Sequence, residues 1–144
     1  MSASGLWCFT PVTSGSISVT AKVSDSCGGR DTVTMTYNVI INSAPNLALG
    51  NDTTIFVCGP GNVCLPYTFT DPNNNVASIV LKSGLGTVTL SPAELCFNPL
   101  SSGLYTFVAE LTDSCGAKDK DTINVTVQMN HLPVADAGRD STVF

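Results

Sequence analysis

The chain has 144 residues, of which 12% are charged and 43% hydrophobic, with a formal net charge of -5. An average soluble protein carries about 25% charged residues, so Thr, Ser and Asn supply the polar surface here, and a Thr/Val-rich, Lys/Glu-poor chain favours strands over helices. Six scattered Lys and Arg exclude a nucleic-acid surface and a polybasic membrane patch, and no apolar run approaches the ~18 residues of a membrane-inserted span.

The N-terminal run Met1-Ser2-Ala3-Ser4-Gly5 has neither the basic nor the apolar region of an export signal. An exported chain would have had its signal removed or would carry it outside these residues. Ser16–Ser24 then alternates cleanly, with Ile17, Val19, Ala21 and Val23 on one face and Ser16, Ser18, Thr20, Lys22 and Ser24 on the other. Val33, Met35, Tyr37 and Val39 repeat the pattern in the next segment. Period-two alternation predicts strands with one buried face.

After Pro45 a series of short strands is expected. Strand A lies around Asp52–Val57. Strand B is Cys64–Thr70, with Leu65, Tyr67 and Phe69 inward. Strand C is Ala77–Lys82, D is Thr87–Leu90 and E is Glu94–Phe97. Strand F is Leu104–Thr112, with Tyr105, Phe107, Ala109 and Leu111 inward. Strand G is Thr122–Met129, with Ile123, Val125, Val127 and Met129 inward. Gly59-Pro60-Gly61-Asn62, Asp71-Pro72-Asn73-Asn74-Asn75 and Ser83-Gly84-Leu85-Gly86 mark turns between them. A last strand is expected over Ala135–Phe144.

The chain repeats itself. Leu6-Trp7-Cys8-Phe9-Thr10-Pro11 lies over Glu94-Leu95-Cys96-Phe97-Asn98-Pro99, and Asp25-Ser26-Cys27-Gly28 over Asp113-Ser114-Cys115-Gly116, at an offset of 88. Pro45 lies over Pro133, and Gly50–Phe56 over Gly138–Phe144, at the same offset. In the strand between, Asp31-Thr32-Val33 matches Asp121-Thr122-Ile123 at an offset of 90. Such a period suits a small β-sandwich of ~100 residues rather than a solenoid. The expected fold is all-β: immunoglobulin-like Greek-key β-sandwich repeats in tandem. Residues 1–44 form the C-terminal half of one repeat (strands E, F and G), residues 45–132 a complete repeat, and residues 133–144 the first strand of the following one.

Three segments carry a family resemblance: Pro45 to Thr54, Thr70-Asp71-Pro72-Asn73, and Ser102-Gly103-Leu104-Tyr105-Thr106-Phe107 followed by Leu111-Thr112-Asp113-Ser114-Cys115-Gly116. Together they resemble PKD-type and cadherin-like immunoglobulin-fold repeats. The resemblance implies tandem modules of large secreted or surface bacterial proteins, serving adhesion, spacing or binding. The usual Trp-Asp-Phe-Gly-Asp segment of PKD strand C is absent, and four cysteines per repeat are extra.

The residues that carry chemistry are few. Asp71 in the B–C loop, with Asp113 and Asp119 flanking the F–G loop, would share one pole and offer carboxylates to calcium, helped by Asn73, Asn74 and Asn75. The competing reading is that these acids shape turns. The single His131 stands beside a linker, and no Ser-His-Asp or Cys-His set is possible within one sandwich, so no enzyme is expected. Glu110 faces outward on strand F and matches Lys22, which removes a shared catalytic role. Asn51 and Asn124 begin N-x-S/T sequons and are expected to face solvent as glycosylation candidates.

Six cysteines in β-rich, Lys-poor sequence favour disulfides, and with no CxxC spacing they do not suggest zinc. Cys64 and Cys96 lie on neighbouring antiparallel strands, so a 64–96 bridge is sterically reasonable. Cys58 and Cys115 fall at opposite poles and cannot pair within one domain. Cys58 would reach the next repeat's counterpart of Cys115. The rival is local pairing, 58–64 with 96–115 and 8–27.

Taken together, an extracellular or cell-surface location is expected. The favoured function is a structural spacer of a fibre, stalk or filament, whose partners are neighbouring repeats or copies of itself, head to tail. The alternative is an adhesive module for glycan or protein, with calcium as its one possible cofactor.

Overall fold

The computed structural model describes residues 6–140 and 142. The run Met1–Gly5, and Ser141, Val143 and Phe144 of the expected last strand, lie outside the described residues. The fold is all-β, and the chain divides into two compact units, Met1–Ser43 and Ala44–Phe144.

In the first unit, β1 (Gly15–Ser24) and β2 (Arg30–Val39) form an antiparallel hairpin running from Gly15↔Val39 to Ser24↔Arg30. Pleating puts Ile17 opposite Tyr37, Val19 opposite Met35 and Ala21 opposite Val33 on one face. On the other face Ser18 and Thr36 share a hydroxyl hydrogen bond of 3.1 Å, and Thr20 and Thr34 one of 2.9 Å. Asp25 closes the turn: its Oδ1 accepts the backbone N–H of Cys27 (3.0 Å) and of Gly29 (2.7 Å).

The second unit is a closed sandwich. Its strands are β3 (Asn46–Ala48), β4 (Thr53–Val57), β5 (Val63–Pro66), β6 (Thr68–Thr70), β7 (Val76–Ser83), β8 (Thr87–Leu90), β9 (Ala93–Phe97), β10 (Gly103–Asp113) and β11 (Lys118–Met129). One sheet has the order β4-β11-β10-β7; β5-β9-β8 forms another, and β3 pairs with β6. Every pairing is antiparallel except that of β4 with β11, which is parallel from Thr53↔Val125 to Val57↔Met129. The inward residues Leu47, Leu95, Phe97, Phe107, Ala109, Leu111, Ile123, Val125 and Val127 are buried together as the core. Tyr105 OH donates to the carbonyl of Ser101 at 2.9 Å, the tyrosine corner of immunoglobulin-like sandwiches.

The expected strand A is present as β4, but a short strand that the sequence reading lacked precedes it: β3 joins β6, then the chain crosses to β11 as β4. Gly50, at φ 101°, makes the crossing, a conformation that favours glycine. The expected strand B is broken at Tyr67, whose N–H still bonds Ala93 O at 3.1 Å while the chain beyond turns to β3. Of the expected last strand, residues 135–140 are not in strand.

The repeat is also simpler than its sequence suggests. β10 and β11 pair from Gly103↔Val127 to Thr112↔Lys118, residue for residue the β1–β2 register shifted by 88. The Asp113 turn copies the Asp25 turn, with Oδ1 accepting Cys115 N–H (2.9 Å) and Ala117 N–H (2.8 Å). Ser102 Oγ accepts the N–H of Met129 as Ser14 Oγ accepts that of Ile41. No shift to 90 exists. Lys118-Asp119-Lys120-Asp121 has period two, so Arg30-Asp31 matches it in either register, and a two-residue slip leaves the inward–outward pattern unchanged.

Candidate functional site

The B–C and F–G turns of the closed unit meet at one pole. Asp71 Oδ1 accepts Asn73 N–H at 2.7 Å, and Asn74 takes a positive φ of 53°, the turn chemistry that Asn tolerates. Asn75 O accepts both the N–H and the hydroxyl of Ser114, each at 2.8 Å, tying the two turns together. Beside them a groove of about 560 Å³ is lined by Phe69, Thr70, Asp71, Asn74, Val76 and Leu90.

The three acids named for calcium do different work. Asp71 and Asp113 each bond backbone N–H groups in their own turns. Asp119 is not in a loop. It sits in β11 on the inward face, and its Oδ2 accepts Leu47 N–H at 2.8 Å. Two residues on, Asp121 Oδ2 accepts Leu49 N–H at 2.7 Å. The pair pins the stretch around β3 where it has no strand neighbour on that side. Among the described residues, one trio of His, Cys, Asp and Glu ligand atoms gathers within 4.8 Å. It is Cys64, Glu94 and Cys96, whose two sulfurs are bonded to each other.

The alternation Lys118-Asp119-Lys120-Asp121 splits by pleat. The aspartates turn inward to β3, and the lysines turn outward to Glu110. That glutamate is on the outer face as expected, yet it is only 5% exposed. Lys118 Nζ lies 2.9 Å from Oε1, Lys120 Nζ 3.1 Å from Oε2 and Lys82 Nζ 3.8 Å from Oε1. Hydrogen bonds from Lys118 and then Lys120 hold the carboxyl at about 2, below its ordinary 4.5. A group with a depressed folded value stabilises above its unfolded value and loses that contribution as pH falls. The acid limb of the melting curve should therefore steepen between pH 4.5 and about 2. Glu110→Gln should flatten that window in a Tm–pH series and match the native chain below it.

Cys64 and Cys96 face each other across β5 and β9 and are joined, with Cα atoms 4.1 Å apart. That bond excludes the rival pairs 58–64 and 96–115. Cys8, Cys27, Cys58 and Cys115 are exposed free thiols. Cys58 follows Val57, which pairs with Met129 at one end of β11, while Cys115 sits in the turn before Lys118 at the other end. Twelve residues of β11 span about 36 Å at ~3.3 Å each, far beyond the ~7 Å limit for bridged Cα atoms.

The two sequons differ. Asn51 is exposed. Asn124 is half-buried, with Nδ2 donating to Asp52 Oδ2 (3.0 Å) and Oδ1 accepting the Thr106 hydroxyl (2.7 Å). It lies on the outward face of β11 between the inward Ile123 and Val125. Asp52, the middle residue of the Asn51 sequon, also accepts Asn124 N–H at 2.9 Å. Those bonds, the side-chain amide first, lower its pKa. A glycan on Asn124 would have to displace Asp52. When the chain is made in a glycosylating secretory host, glycopeptide mapping should find any occupancy at Asn51 and none at Asn124.

The sheet order, the crossing from β3 to β4 and the tyrosine corner define an immunoglobulin-like β-sandwich. Among solved structures the chain is similar to the fibronectin(III)-like modules of Clostridium thermocellum CbhA, at 15% identity and TM-score 0.50, over 91% of this chain and 72% of that one. It is also similar to the PKD domain of the KIAA 1837 protein, at 15% identity and TM-score 0.45, over 68% of this chain and 100% of that one. A PKD domain of human KIAA0319 matches at 22% identity and TM-score 0.42, over 70% of this chain and 91% of that one. At such identities the likeness is one of fold. No protein-family model matches the chain, and no curated protein matches it.

Proposed function

We propose that this chain is a stretch of an extracellular or cell-surface array in which small immunoglobulin-like sandwiches follow one another and act as non-catalytic spacers. The observation that carries the reading is the repetition at 88 residues of one hairpin register, one Asp-capped turn and one Ser-capped strand end. A disulfide whose Cys64 is exposed suits an oxidising environment.

The exposed cysteines extend the reading to partners. Cys58 and Cys115 stand at opposite ends of one module, so a thiol at the tail of one meets its complement at the head of the next. Joined in this way, successive modules stiffen. The test is a chain in which residues 45–132 are duplicated in tandem. Peptide mapping without reductant should find Cys58 of the first copy bonded to Cys115 of the second. Small-angle scattering should show a rod that loosens on reduction. Free thiols at both positions, with scattering of two independently moving beads, would end the spacer reading.

A further inference from the structure

The β1–β2 hairpin and the β10–β11 hairpin are twins, but only one is covered. In the closed unit Leu111, Ile123 and Val125 are buried beneath the facing strands. Their counterparts at the 88-residue offset, Val23, Met35 and Tyr37, are 65%, 37% and 40% exposed. A second set of residues is equally incomplete. Trp7 and Phe9 are the counterparts of Leu95 and Phe97 in β9. They stack at 5.0 Å, and Trp7 meets Tyr37 at 5.4 Å, yet both remain partly exposed. Between them Cys8, the counterpart of disulfide-bonded Cys96, carries an exposed thiol. Asp31 is the counterpart of Asp119, the carboxylate that accepts the N–H of Leu47.

The closed unit shows what covers such a face. Residues 44–93 supply β3 to β8, and Cys64 stands directly across from Cys96. We propose that the β1–β2 hairpin with residues 6–9 is a complementation site. Its occupant is a segment with the chemistry of residues 44–93: a stretch with inward residues spaced as Leu65, Tyr67 and Phe69 are, preceded by a cysteine that falls opposite Cys8. The complex is locked by a disulfide. In the presence of a low-molecular-weight disulfide such as oxidised glutathione, the two cysteine thiols lose two protons and two electrons to form one S–S bond, and two glutathione thiols are released. The inference rests on the modular reading above and names the chemistry of the segment that would cover this face.

The test uses the 144-residue chain with Cys27→Ser, Cys58→Ser and Cys115→Ser, so that Cys8 is its one remaining free thiol. It is mixed, in a glutathione redox buffer, with a polypeptide of residues 44–93 carrying Cys58→Ser. The expected product is a Cys8–Cys64 bond. Trp7, the sole tryptophan, should shift its emission to shorter wavelength, and amide exchange across 15–39 should slow. Docking raises the effective thiol concentration, so the native fragment should be captured at least about tenfold more than a scrambled one. A Cys64→Ala fragment should still shift Trp7 emission, without the bond. Equal capture of the scrambled fragment overturns the proposal, as does capture with no change at Trp7. A chain that pairs Cys8 with Cys8 of a second copy and buries Trp7 without fragment also overturns it, in favour of self-association. An intact Cys58–Cys115 staple in the duplicated chain, together with failure here, removes this inference and leaves the spacer reading in place.

Discussion

Leu111→Ala should destabilise the closed unit by about 2–5 kcal/mol, whereas Val23→Ala at the same repeat position should change stability by less than about 0.5 kcal/mol. Leu111 is 0% exposed and sits among Phe107, Ala109, Ile123 and Val125 in the core. Its truncation removes transferred methylenes and leaves a cavity that the two sheets cannot close. Val23 is 65% exposed, so its methyls gain little from folding. Denaturant titration of both variants measures the difference. Equal losses would mean that the hairpin face is already buried in solution.

Loss of the Cys64–Cys96 bond should cost about 3–4 kcal/mol. The bridge closes a loop across a sequence separation of 32, and the chain-entropy estimate for such a loop is of that size. The double variant Cys64→Ala with Cys96→Ala should move the guanidinium midpoint down and steepen the slope, since the unfolded chain without the cross-link exposes more surface. Cys58→Ser should leave the midpoint of the isolated chain where it was, because that thiol is exposed and unbonded. A midpoint equally lowered by Cys58→Ser would show a second bond that the structure does not contain.

Much of the sandwich was legible because its longest strands are one-sided. Ile123 to Met129 alternates without exception and Tyr105 to Leu111 with the single exception of Val108, and the turns between strands carry Gly, Pro and Asn. What stayed hidden is non-local. β3 is three residues long and shows no periodicity of its own. Asp119 was read as flanking the F–G loop, without its tie to the backbone of β3, although it and Asp121 continue the inward phase of Ile123, Val125 and Val127. An acid in that phase is a signal that it serves a backbone donor. The partners of Glu110 are Lys82, Lys118 and Lys120, all brought from neighbouring strands, which no local pattern announces. The cysteines were legible through strand adjacency alone: Cys64 and Cys96 followed from the order of β5 and β9.

The parallel pairing of β4 with β11 has a mechanical consequence. The first long strand of the closed unit and its last strand run side by side in the same direction, over five paired positions. Tension between the two termini therefore pulls these strands past each other along their length. Their hydrogen bonds lie across the pull, so all of them carry load together instead of opening one after another. The Asp52–Asn124 bonds add two more ties to the same ladder. Resistance to force is set by the unfolding rate rather than by equilibrium stability. This geometry places the unfolding barrier where a stretched chain is strained first.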